Sequence, residues 1–161
     1  MSDRHDVTSL SCHVDVLPQR ASVGDVVFSF EQLEVYQAAR AFRKRVYALA
    51  KLLPDDERYR LRIQMRKAAL SLTNAISEGQ GRHTYKDKRH YCHEARGSLQ
   101  ELVDDVNDCI DNNYAKDEHL QNLRGDAFRV LQLIDGWARW LAKQDAKKAA
   151  TKAKSRNDLT T

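Results

Sequence analysis

Proline is nearly missing from this chain: only Pro18 and Pro54 occur in 161 residues, and glycine occurs six times. That scarcity argues against a strand-and-turn architecture, whose reversals need such punctuation, and leaves long uninterrupted runs that suit helices. No apolar run is long enough to span a bilayer. The first residues, with Asp3 and Asp6 and no apolar stretch behind their few cations, do not read as a secretory signal, so the expected location is the cytoplasm. Cysteine is also sparse. Cys12, Cys92 and Cys109 are odd in number and irregularly spaced, which argues against a disulfide framework and for reduced thiols.

What remains is ordinary for a globular protein: 42% apolar and 31% charged residues, enough for one domain with a continuous core. The net charge of +4 conceals a pattern. Beyond Ala142, the cations Lys143, Lys147, Lys148, Lys152, Lys154 and Arg156 outnumber Asp145 and Asp158 by four, so the tail supplies the whole surplus. Elsewhere, the stretch from Arg58 to Arg96 is basic and that from Glu101 to Glu118 is acidic, which predicts a polarised surface.

Apolar residues recur at steps of three and four in four segments. The first, about Glu31 to Leu53, aligns Leu33, Tyr36, Ala39, Phe42, Val46, Leu49 and Leu53 before Pro54 stops it. Asp55 and Asp56 are placed to cap the second, which runs to about Glu78 with Leu61, Met65, Ala68, Leu72 and Ile76 inward. Gly79-Gln80-Gly81 reads as its stop. The third, about Tyr85 to Asn112, carries Tyr91, Ala95, Leu99 or Ser98, Leu102, Val106 and Cys109 or Ile110, and Gly97 in its middle reads as a helix-crossing point. After Asn112-Asn113-Tyr114, Asp117 leads into a fourth with Leu120, Leu123, Ala127, Val130, Ile134, Trp137 and Leu141 inward. Short connections between long helices predict an all-α, antiparallel up-down-up-down four-helix bundle over residues 30–144. Residues 1–29 read as a mostly irregular extension, in which Val26-Val27-Phe28 is either a short strap or disordered, and residues 145–161 as a basic flexible tail.

The strings FEQLEVYQ, LP-DDERY, QMRKAALSL, ISEGQGR and ARGSLQEL, in this order between Phe30 and Leu141, resemble the four-helix-bundle family of proteins encoded by intervening sequences within bacterial 23S ribosomal RNA genes, the S23-like family. The resemblance implies a ring-shaped homopentamer and, from the genes' location and a related retroelement accessory protein, a nucleic-acid partner. The family usually has proline and asparagine where this chain has Thr73 and Ala75, with Asn74 displaced by one position, and Glu94 stands at a usually apolar place.

The candidate nucleic-acid-binding residues are Arg58, Arg62 and Arg66, spaced i, i+4 and i+8 along one edge of the second helix, and Arg82, Lys86, Lys88 and Arg89 around the glycine corner. Clustered cations favour phosphates because they release condensed counterions together, while Tyr59, Tyr85 and Tyr91 offer faces for unpaired bases. The competing reading is a solvated face, or one paired with the acidic third helix of this or a neighbouring subunit. The lysine-rich tail divides likewise between an arm for a polyanion and a frayed, solubilising helix end.

Enzymatic readings fare poorly. His83, His90, His93 and Cys92 supply one helical pair with no second cysteine and no Glu-x-x-His partner, so neither a metal nor another cofactor is expected. Glu101, Asp104, Asp105 and Asp108 follow one outer face and read as solvated or interfacial. Gly79 to Arg82 lacks the ending of a phosphate-cradling loop, and Ser98 has no companion histidine. Trp137 and Trp140 read as one core ring and one at a rim or subunit contact. The expected function is therefore non-enzymatic RNA or nucleic-acid binding by an oligomeric bundle. The alternative is a protein-interaction scaffold, or an accessory subunit of a nucleic-acid enzyme such as a reverse transcriptase.

Overall fold

In a computed structural model, the backbone is described for residues 26–158 and the side chains for 26–155. Most of the expected irregular extension, and Cys12 with it, lies outside the described residues. Four helices and no strand occur within them: α1 (Glu34–Leu52), α2 (Leu61–Gly81), α3 (Tyr85–Asp111) and α4 (Asp117–Asp158). Short 3-10 turns at Ser29–Gln32 and Asp55–Tyr59 precede α1 and α2. Val26, Val27 and Phe28 are all more than half exposed, so they do not strap the core, although the Phe28 and Phe30 rings stack at 6.0 Å.

The four apolar stripes converge. Phe42, Val46, Met65, Leu72, Ile76, Leu99, Leu102, Val106, Leu120, Val130, Ile134 and Leu141 are the largest fully buried side chains, and they belong to one core. α2 packs against α1 and α3, and α4 against α3 and α1. Cross-helix pairs give the sense of each contact. Tyr85 meets Trp140, Arg96 pairs with Asp135 at 3.1 Å, and Arg124 donates to Asn107 at 3.0 Å, so residue numbers fall along α4 as they rise along α3. Gly79 against Tyr91 and Gln64 against Asp105 relate α2 and α3 in the same way. Arg43 with Thr73 and Arg66 with Tyr47 do so for α1 and α2.

Helix ends follow local chemistry, with some departures from expectation. Pro54 stops α1 by holding Leu53 extended. Asp55 and Asp56 do not cap α2: they lie in the 3-10 turn, and the carboxylate that accepts the Leu61 N–H, at 3.4 Å, is that of Glu57. Thr84 caps α3 through Asp87 N–H at 3.0 Å. Asn113, at φ 55°, makes the left-handed step before α4, a conformation that asparagine tolerates. The largest departure is at the C-terminal end. α4 stays helical to Asp158, through most of the segment read as a flexible tail from residue 145.

The crossing point expected at Gly97 lies instead at Gly79. α2 does end at Gly81, but without a left-handed cap, since no described glycine has a positive φ, and Gly79 lies inside the helix. A Cβ at Gly79 would stand 2.8 Å from Tyr91 Cβ, closer than two carbons tolerate. Gly97 is exposed and a Cβ there meets nothing within 4 Å. Gly79→Ala should therefore lower the unfolding free energy by about 1 to 2 kcal/mol, overpacking outweighing the gain in helix propensity. Gly97→Ala should raise it by up to about 1 kcal/mol. Thermal denaturation of both variants checks the pair, since shifts of the same sign would contradict the assignment.

Thr73 is the buried polar residue of α2. It is 1% exposed, accepts from Arg43 Nη1 at 2.7 Å and donates to the Leu70 carbonyl at 3.0 Å. Asn74, one residue or about 100° further round the helix, faces outward.

Candidate nucleic-acid interface

The seven cations singled out by their spacing do not form one edge. Arg58 lies in the 3-10 turn, and the backbone turns sharply at Arg60 (φ −114°, ψ −97°), so the helical phase linking Arg58 to Arg62 is broken. Arg62 has a structural task. Its guanidinium is largely buried, donates to the carbonyls of Leu53 and Pro54, and sits 3.9 Å from Asp55, which latches the α1–α2 connection. Arg66 lies over the Tyr47 ring at 4.7 Å, and Arg58 over Tyr59 at 5.6 Å. These three occupy the N-terminal part of α2 and the turn before it, whereas the glycine corner lies roughly 30 Å away at the far end of the helix.

The corner cations also differ from one another. Arg82 donates to Glu78 and to the Tyr91 hydroxyl, and its guanidinium lies over the Tyr91 ring at 4.7 Å. The Tyr91 hydroxyl, donating to Glu78 at 2.8 Å, and then Arg82 hold the Glu78 carboxyl below the usual carboxylate range. Arg82 is thus exposed but already paired. Lys88 Nζ donates to the Gln80 carbonyl at 2.8 Å and closes the corner from α3. Lys86 is exposed and Arg89 half-buried, and neither makes an ion pair among the described residues.

The apolar period alone did not show what stands beside this corner. Trp140 is 52% exposed and packs edge-on against Tyr85 with ring centroids 6.4 Å apart, which fixes α4 next to the start of α3. Leu141 is the last core residue, and α4 continues for 17 residues beyond it, roughly 25 Å. At 100° per residue, Arg139, Lys143, Lys147 and Lys154 share one face of this extension with Trp140 beside them, while Lys148 and Lys152 face away. The signal was present in the sequence as the i, i+4, i+8, i+15 spacing of these cations. It was masked because a run of lysine and alanine has no apolar stripe to declare it a helix.

The opposite end is acidic. Glu57, Asp104, Asp108 and Asp111 gather where the α1–α2 and α3–α4 connections lie, and the Tyr114 hydroxyl donates to Glu57 at 3.1 Å. Among the described residues, no group of three histidine, cysteine or acidic side chains has the arrangement to hold a metal ion. Burial pushes the thiols of Cys92 and Cys109 up to about 11 and about 12, which keeps both protonated and unreactive. No helix is long and apolar enough to cross a membrane among the described residues.

A four-helix all-α protein with oppositely charged ends is the class these features define. Residues 31–136 match the family described as 23S rRNA-intervening sequence protein, and the chain belongs to that family. A crystal structure of a protein of unknown function from the S23 ribosomal protein family of Bacteroides thetaiotaomicron is similar in fold, with a TM-score of 0.61 at 17% identity over 65% of this chain and 95% of that one. No curated protein matches the chain.

Proposed function

We propose that this chain is a non-enzymatic, cytoplasmic up-down-up-down bundle that assembles into a ring-shaped homopentamer and binds RNA or another nucleic acid at its basic end. The observation that carries the reading is the overshoot of α4, which sets Arg139, Lys143, Lys147 and Lys154 in line beside Trp140 and the α2–α3 corner. Several aligned cations release counterions together on meeting a phosphate chain, and an exposed indole gives an unpaired base a surface on which to stack. Of the cations first singled out, Lys86 and Arg89 belong to this surface, with Arg82 and Lys88 as its base. Arg58, Arg62 and Arg66 fall outside it. In a ring, several such ends act together and raise avidity without new contacts.

Retention of labelled single-stranded RNA across a salt series tests the reading. Binding should weaken linearly in log–log form as salt rises. Absence of retention at low salt would remove the proposal.

A protein-only scaffold is the second reading, supported by Phe128, 61% exposed over a groove that includes Val103, Arg124 and Leu131. Its signature is a variant such as Phe128→Ser that changes oligomer mass while no form of the protein retains RNA.

A further inference from the structure

At the acidic end, α2, α3 and the 3-10 turn before α2 enclose a cavity of about 300 Å³ whose wall carries Glu57, Asp104, Asp105, Asp108 and Asp111. Four of these carboxylates lie on α3, where Glu101, Asp104, Asp108 and Asp111 follow one another at axial steps of roughly 4.5 to 6 Å and Asp105 is the neighbour of Asp104. Arg60 is the one cationic side chain in the lining, and it is exposed.

Acidic side chains on a surface ordinarily need no ligand. Asp105 is different. It is 4% exposed; its Oδ1 accepts from Gln64 Nε2 at 2.8 Å, and its Oδ2 is buried without any hydrogen-bond partner. A buried carboxylate oxygen with no donor costs free energy that a bound donor would recover. Every other side chain of the cavity wall except Arg60, Leu61 and the amides Gln64 and Asn107 is an acid. A cationic donor suits such a wall, because it brings a charge opposite to that of the surrounding carboxylates.

The arrangement also selects the kind of cation. These acids do not converge as ligands of one metal ion must, but follow one another along a helix. A chain of ammonium groups separated by short methylene spacers matches such a row, because each ammonium supplies a charge and several donors at intervals close to those of the carboxylates. We propose that this cavity is a binding site for a linear aliphatic polyamine of the spermidine class, with one ammonium donating to Asp105 Oδ2 and the others aligned on Asp104, Asp108 and Asp111.

Burial, then the negative charge of Asp104, raises the Asp105 carboxyl to about 6, with Glu101 and Asp108 adding to the rise and Gln64 opposing it. Polyamine binding should therefore weaken as pH falls through that value, with Glu57 and Arg60 as the remaining charged groups facing the site from the turn and the start of α2.

Titration calorimetry of the full chain with spermidine, at fixed ionic strength and neutral pH, tests the site. Saturable binding of one molecule per chain is expected. Asp105→Asn, which removes a desolvated charge and should fold at least as well, should weaken it by about tenfold or more. Glu94→Gln, on an exposed part of α3 toward the other end, should leave it unchanged. Heats without saturation, full competition by magnesium at equal ionic strength, or undiminished affinity in Asp105→Asn would each overturn the proposal.

Discussion

Exchanging Arg139, Lys143, Lys147 and Lys154 together for glutamine should weaken retention of single-stranded RNA by roughly 10²- to 10³-fold at about 0.1 M salt. Each phosphate contact on a single strand adds about 0.7 to the slope of log affinity against log salt, so losing four should flatten that slope by nearly 3. The curves of the variant and the parent should converge toward high salt, where little is gained by releasing counterions. Lys148→Gln with Lys152→Gln, on the other face of the same helix, should lower affinity far less, as should Arg58→Gln with Arg66→Gln at the distant end of α2. Glutamine keeps the helix and leaves its length unchanged, so circular dichroism should report the same helical content in all three variants. Equal losses from the two faces of α4 would mean that the lysines act as a diffuse charge rather than as an ordered row. Unchanged retention in the four-residue variant would remove α4 from the interface altogether.

The core was legible because burial leaves a period. Every residue from Ala39 to Leu53 and from Leu61 to Ile76 that lay on the expected stripes is buried, because a helix in a bundle hides one face and the sequence must repeat accordingly. Gly97 was misassigned, and the packing role of Gly79 missed, for a complementary reason. A glycine's position in its own helix says that a backbone is free to approach, but not whether one does, and only Tyr91 on the next helix decides that. Asp105 was placed on an outer face with its acidic neighbours, although its steps of three from Leu102 and four to Cys109 set it on the core side of α3. Charge outweighed phase in that reading, and the phase was the better guide.

The cationic site was less legible because periodicity records what a side chain is near on its own helix, not what it bonds. Arg62 fits the spacing of a basic edge, yet it spends its donors on Leu53 and Pro54, carbonyls left open where proline breaks α1. Arg82 and Lys88 are likewise engaged by Glu78, Tyr91 and Gln80. Lys143, Lys147 and Lys154, which make no ion pair among the described residues, lie where helix geometry outlasts the core, on the extension of α4, and a segment with nothing to bury gives no hydrophobic signal.

Asp105 sets the second large effect, on stability as a function of pH. Its folded-state value of about 6 stands above the ordinary 3.8, so between these limits the folded chain holds a proton that the unfolded chain has released. Stability contributed by this group is consequently greatest below about pH 4, falls as pH rises, and levels off above about pH 6. The full loss is about 1 to 3 kcal/mol, the cost of ionising a carboxylate that is 4% exposed and has one oxygen without a donor. Asp105→Asn keeps the shape and the bond to Gln64 while abolishing the titration, so it should be more stable than the parent at pH 7 by about that amount and nearly equal to it at pH 4. Glu78, held below its usual range, contributes with the opposite sign, but it is present in both proteins and cancels in the difference. Denaturant unfolding of the two chains from pH 4 to pH 7.5 measures that difference directly. A gap that stays constant with pH would mean that Asp105 remains ionised throughout, and a gap that widens toward acid would reverse the assigned sign.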